Sequence, residues 1–444
     1  MRVSVLIWTL LSSLLLAQQP AEEYRVYTES PRLFLNARRA RLLKRESERQ
    51  SLRWQQFDAL MAGKAEMPEP GFANALYYFV TGREEYGRKA VSFALSNTTD
   101  LRQQALVFDW CRPLLSRSDT EAFTARLVRG IEQSRQASDV PAVRSRVLAA
   151  VALADERPDL TEELMRWTVQ EWWRKGAVPR LKAGDPPWRR EDLYALLELM
   201  HAIQDNILID LRESYPHYFR DLPMYHLLSY YPSPFPAAEN EYRIPYFVED
   251  GDPDLRVAAL SRAMELSLVA YDNNAQEHQF VQGWVIQDRF LLRSAFGIPY
   301  EFLWANPYQP GLTPAHLPLS HHNPTQKHGL LLLRSSWEED ASWFGLIEKE
   351  MQYFRDGRRQ RVDPKKVTEP VQIGPSTVYF GKAGLRFELD GETERAYLVG
   401  LRPNHAYDVE VDDEELAEHR TDAAGVLALE FAPDRRAGVR VRER

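Results

Sequence analysis

The feature that most limits what this chain can fold into is a change of hydrophobic period near Gly297. Before it, apolar residues recur at helical spacing in stretches of about 15 to 20 residues without strand-helix alternation, which excludes a doubly wound sheet. Leu101, Ala105, Phe108, Cys111 and Leu115 form one such stripe in LRQQALVFDWCRPLL, and similar stripes recur between Asn36 and Phe296. They predict paired helices, roughly ten or eleven. A Pro-rich and His-rich passage follows. From about His328 the segments LLLLRSSW, SWFGLIEKE, MQYFRDGRRQRV, AYLVGL, YDVEVD and GVLALEF read as strands, with Asp356-Gly357 as a hairpin turn. The expected fold class is α+β multidomain, a helical domain carrying a small antiparallel β domain.

Met1-Arg2 precedes an apolar run from Val3 to Ala17 and then Gln18-Gln19-Pro20-Ala21, the layout of a secretory signal. The run is too short to span a bilayer stably, so the reading is a periplasmic or secreted protein. The expected organisation is a signal peptide at 1–21, a helical domain at 22–298, a junction at 299–327 and a β domain at 328–444. At 444 residues and 44% hydrophobic content the chain can bury a large core. Its net charge of −8 argues against nucleic acid as the main partner. The single cysteine, Cys111, allows no internal disulfide and falls on a buried helix face. Gly82, Asp100, Ser118 with Glu121 as a capping box, and Asp252-Pro253 mark helix ends.

PRLFLNARRARLLKRE, ALYYFVTGREEYGRKAVSFAL, LRQQALVFDWCRPLLS and LLLLRSSWEEDASWFG, in this order, resemble the heparinase II/III-like and alginate-lyase-like polysaccharide lyases. The resemblance covers most of the chain. It implies an incomplete α/α toroid followed by a β-sandwich, and cleavage of an anionic polysaccharide by β-elimination in the cleft between them. The family places an Asn-His pair on a toroid helix after the DW and LLS segments. The corresponding stretch here, QASDVPAVRSRVLAAVALA, has neither residue.

β-Elimination needs a group to neutralise the uronate carboxylate, a base for the C5 proton and an acid for the leaving oxygen. In PPWRREDLYALLELMHAIQDN, Tyr194, Glu198, His201 and Asp205 form one polar stripe on an apolar helix. Tyr194 and His201 would lie roughly 10 Å apart, bridged by Glu198. Trp188, Arg189 and Arg190 precede Tyr194, so a stacking ring, guanidinium groups and a phenol could meet one sugar. The candidate catalytic set is Tyr194, His201, Arg190 and Glu198. The basic residues Arg174, Lys175, Arg180, Lys182, Arg189 and Arg190, against Asp185 alone, supply local positive charge. The same stripe also suits a helix face packed against another helix, and the basics a solvated loop.

Asn274 and His278, spaced i and i+4, offer a substitute amide and imidazole, or a polar helix start. His316, His321, His322 and His328 crowd the junction without a zinc pattern, and His322 is a candidate at the substrate. Trp188, Arg189, Asn274, His278 and His322 complete the candidate binding set. The Pro-rich aromatic stretch from Tyr215 to Phe247 reads as cleft-lining or domain-bridging, and FLWANPYQPGLTP from Phe302 as docking the two domains. The acidic run from Asp408 to Glu418 lacks calcium-loop spacing and reads as the solvent side of an edge strand and hairpin. No cofactor is indicated, since G-x-S-x-G, Walker A, Rossmann and H-E-x-x-H patterns are absent from the sequence. The expected function is an exported polysaccharide lyase acting on an anionic, uronic-acid-containing glycan. The alternatives are a noncatalytic glycan-binding or scaffold relative, and hydrolysis by acids such as Glu191 and Asp192.

Overall fold

The computed structural model describes residues 22–444 apart from 97, 238–240, 288–291, 368, 382–384 and 414; the predicted signal peptide lies outside the described residues. The fold is α+β, an α/α toroid followed by antiparallel-rich sheets. Helix Pro70–Thr81 packs on Leu101–Trp110, and the contacts continue through Val140–Ala152, Leu193–Ile207, Leu255–Tyr271 and Gly297–Trp304. The last of these returns to Leu52–Ala62 and Pro70–Thr81, closing a ring. Leu101–Trp110 and Gly297–Trp304 are buried along their whole length. Arg117–Gln133, by contrast, buries one stripe only, Phe123, Leu127 and Ile131, because its other face meets water. Among the described residues, no helix is long and apolar enough to cross a membrane.

Local chemistry sets the helix ends. Asp100 accepts from the Gln103 amide, and Gly82 takes the left-handed conformation (φ 69°) that ends Pro70–Thr81. The capping box is formed by Ser116 and Asp119, two residues before the expected Ser118 and Glu121. Asp254, not Asp252, caps Leu255–Tyr271. The DW pair clamps the N-terminal segment. Asp109 Oδ2 accepts from the amides of Arg32 and Leu33, both at 2.8 Å, while Trp110 Nε1 donates to the Leu33 carbonyl at 2.9 Å. Phe302, Leu303 and Trp304 belong to the helical core and do not dock the β domain. GIPYEFLW is buried on every side, with Glu301 paired to Arg53 and Arg262, so it shows no helical stripe.

Three sheets are stacked beside the toroid. The inner sheet runs Ser320–His322, Leu330–Arg334, Trp343–Ile347, Glu350–Arg355 and Arg358–Arg361, all antiparallel. Asp356 and Gly357 both have positive φ and form the expected two-residue hairpin turn. In the middle sheet Ser376–Phe380 and Arg395–Val399 pair in parallel, an addition to the antiparallel expectation. Leu331, Leu333 and Phe344 pack on Ile373, Val378 and Val399 of the middle sheet. Leu330, Leu332 and Trp343 point the other way, onto Leu228, Tyr231 and Ala258 of the helical domain. Burial on both faces explains the unbroken LLLL run. The outer sheet covers the far face of the middle one through Phe387, Val409 and Val439. Within it Ala406–Val411 is paired on both sides, so the edge is Glu415–Arg420. The acids of Ala406–Val411 face Arg residues of Arg436–Glu443, with Glu410 3.3 Å from Arg440.

Candidate functional site

A groove runs between the toroid and the inner sheet. Its two arms, of about 320 and 550 Å³, share Arg189, Arg190, Tyr225, Ile347 and Glu348. Helix Pro216–Leu228 and the loop before Leu193 supply one wall; His321, His328, Leu330 and Ile347 supply the other. Tyr215, Tyr218 and Tyr225 line one arm, Tyr246 and Phe247 the second, so the aromatic stretch lines the groove. It also bridges the domains, since Tyr231 Oη donates to Gln352 at 2.5 Å and Gln352 Nε2 donates to the Phe247 carbonyl at 2.8 Å.

The Tyr194 stripe lies in the toroid core, and the lining of neither arm includes it. Tyr194 Oη donates to Glu198 Oε1 at 2.8 Å and accepts from Trp304 Nε1 at 2.9 Å. Glu198 is fully buried and takes three hydrogen bonds from Arg102, at 2.7 to 3.1 Å, and another from Arg144. Burial pushes the Glu198 pKa up, but the charges of Arg102 and Arg144 prevail and hold it below the usual carboxylate range. Burial raises the Tyr194 pKa well above the ordinary phenol value. His201 is not bridged to Tyr194 by Glu198. Its Nε2 meets the Ser267 carbonyl at 2.9 Å, and burial lowers its pKa to about 3.

Arg190 lines both arms but directs its guanidinium inward. Nε donates to Ser229 Oγ at 2.8 Å, Nη1 to Ser261 Oγ, and Nη2 lies 3.3 Å from His226 Nδ1. Because Nδ1 faces a guanidinium it must accept, so His226 carries its proton on Nε2 and donates to Glu265 at 3.0 Å. Burial, reinforced by Arg190, lowers the His226 pKa to about 4. Trp188 stacks on Trp173 (centroids 5.9 Å apart, 3° between planes) and donates from Nε1 to Tyr218 Oη at 2.7 Å. Arg189 alone among these three is exposed, with Glu191 the one carboxylate paired with its guanidinium among the described residues, at 3.8 Å. Elsewhere in the basic run, Arg174 pairs with Glu22, Lys175 with Glu171 and Arg180 with Asp185.

Asn274 is exposed, whereas His278 is buried with Nδ1 against the Asp272 carbonyl at 3.0 Å; neither lines the groove. His322 faces the middle sheet, where Nε2 meets Asp422 at 3.0 Å and the ring meets Tyr397. Its neighbour His321 pairs opposite Leu332 and therefore faces the helical domain, since successive strand residues point to opposite sides. His321 lines the groove, and its Nε2 is buried without a hydrogen-bond partner among the described residues. Burial lowers its pKa, partly offset by the charge of Asp221. His328 approaches Asp185 at 3.7 Å at the same end. Tyr218 and Tyr225 have raised pKa values caused mainly by burial, so both stay protonated at neutral pH.

No family model matches the chain, and no curated protein matches it in sequence. Among solved structures it is similar to one titled glycoside hydrolase, at 10% identity, covering 91% of this chain and 75% of that one, with a TM-score of 0.32.

Proposed function

We propose that this protein is an exported glycan-processing enzyme that takes a uronic-acid-containing polysaccharide into the toroid-sheet groove and cleaves it by β-elimination. The observation that carries the reading is His321 Nε2, a buried and unpartnered ring nitrogen in a cavity shared with Tyr218 and the exposed Arg189. A depressed pKa keeps the imidazole neutral near pH 7, the form that accepts a proton. Arg189 pairs with the substrate carboxylate and so acidifies C5. His321 removes the C5 proton, the electron pair forms the C4–C5 double bond, and the C4–O bond breaks. Tyr218 Oη, which accepts from Trp188, directs its own proton to the leaving oxygen. Aromatic rings along both arms stack on sugar faces. Trp188 and Arg190 position the wall, while Tyr194, Glu198 and His201 act through the rigidity of the Leu193–Ile207 helix.

Asp221 and Glu348 also line the groove, and that pair of carboxylates favours hydrolysis as the second reading. The test is a screen of uronic glycans for the absorbance of an unsaturated uronate product, with H321Q and H322Q in parallel. H321Q should lose turnover by roughly 10²-fold or more with its melting temperature kept, and H322Q should not. Products without the new double bond would favour hydrolysis. Saturable glycan binding without any product would leave a binding protein.

A further inference from the structure

Arg334, the last residue of the Leu330–Arg334 strand, carries a charge with no carboxylate bonded to it among the described residues. Its side chain is 1% exposed, and its bonds are to backbone carbonyls, Nε to Ser336 at 2.7 Å and Nη2 to Glu338 at 3.2 Å. Nη1 is buried and donates to nothing among the described residues. The guanidinium lies 5.2 Å from the Trp337 ring centroid, and the Trp337 ring meets Trp284 edge-on at 5.9 Å. Trp284 is 4% exposed, and its Nε1 is a second buried donor without an acceptor among the described residues. The Arg243 guanidinium sits 4.1 Å over Trp284 and adds a like charge near Arg334. The charge of the exposed Glu338 offsets this only in part, and the hydrogen bond between the two residues runs to the Glu338 carbonyl.

A buried guanidinium bonded only to neutral carbonyls is costly, and a water molecule would satisfy the orphan hydrogen but not the charge. We infer that Arg334 Nη1 and Trp284 Nε1, grouped around Trp337, hold a small inorganic monoanion of halide size. Burial of both side chains excludes larger anions such as sugar carboxylates. Burial also draws the Arg334 pKa down to about 9, so the guanidinium remains charged at neutral pH and the demand for a counter-ion persists. The position is structural. Trp284 belongs to the toroid helix Gln276–Gln287 and Arg334 to the inner sheet, so the anion would join the two at the far end of the strand whose first residue, Leu330, lines the groove.

Thermal melts of the full chain at constant ionic strength, exchanging sodium gluconate for chloride or bromide, test this. A rise of several degrees that saturates at millimolar halide is expected, together with an anomalous peak beside Arg334 Nη1 in a bromide-soaked crystal. R334M should abolish the halide response. A linear, unsaturable salt effect, a response that survives in R334M, or no bromide peak would each overturn the site; if R334M does not fold, the wild-type peak decides. Because the readout is stability and diffraction, its failure is independent of any failure of the lyase assignment.

Discussion

Replacing Glu198 by Gln separates a core role from a catalytic one. Glu198 is fully buried and holds two guanidinium groups that are themselves almost out of water, with side-chain exposures of 5% for Arg102 and 13% for Arg144. Gln preserves the volume and leaves an oxygen for the Tyr194 hydroxyl, but removes the charge and turns an amide donor toward guanidinium donors. Arg102 then keeps only Glu69, at 3.3 Å. Removing one partner of a buried ion pair costs about 3–5 kcal/mol, more than such a pair contributes net, because the remaining charges stay desolvated. If the helical region melts as one unit of roughly 280 residues, an unfolding entropy of ~2.1 cal/mol/K per residue gives ~0.6 kcal/mol/K, so the melting temperature should fall by about 7 °C. Y194F removes one hydroxyl and leaves Trp304 Nε1 without its acceptor, a loss of about 1–3 kcal/mol, and should lower it by roughly 2–5 °C. Scanning calorimetry reads both. A drop below about 2 °C in E198Q would refute the charge argument, and abolished turnover in a fully stable Y194F would return Tyr194 to the reacting centre.

Acid should destabilise the protein through two buried imidazoles. His201 and His226 have folded pKa values of about 3 and about 4 against the ordinary histidine value of 6.5, so between those limits the unfolded chain binds more protons. Stability therefore falls as pH drops below 6.5, by about 2 kcal/mol per histidine between pH 7 and pH 5. Urea titrations across that range check it, and H226Q should flatten the slope. Asp205 works in the opposite sense. Burial raises its pKa to about 6, so folding favours the protonated acid and stability is lost as pH rises through about 4 to 6. D205N should gain up to about 3 kcal/mol at pH 8 and little at pH 4, a difference visible in chemical melts. G184A should damage the groove end, because a Cβ there would lie 1.7 Å from the Thr325 carbonyl oxygen at φ +69°. Lower glycan affinity and a lower melting temperature are expected together.

The fold was legible where residues speak about their own neighbourhood. Asp356-Gly357 specifies its turn, and Asp100 and Gly82 their helix ends. The motifs that carry the family resemblance serve the fold as well: Asp109-Trp110 clamps the segment containing Arg32 and Leu33, and Trp337 Nε1 donates to the Leu317 carbonyl at 3.2 Å. They announce architecture and say little about chemistry. The candidate site was harder to read because a polar stripe identifies a helix face without naming what faces it. Arg102 and Arg144, which engage Glu198, lie 96 and 54 residues away in sequence. His321 and His322 differ only in strand parity, and that parity is fixed by pairing with Leu332 and Leu331. In this respect the alternation within LLLL carried the missing signal.

The two-faced inner sheet also bears on how the chain is made. Leu330, Leu332, Trp343, Ile347 and Phe354 form an apolar surface whose cover comes from residues earlier in the sequence. On the ribosome the helical half emerges first and is already waiting when these strands appear, so the sticky face finds its cover as it forms. Synthesised alone, the strands would present that face to each other, and the fragment should associate or precipitate. Any permuted version that places the strands first reverses the order and should depend on chaperones to reach the same structure.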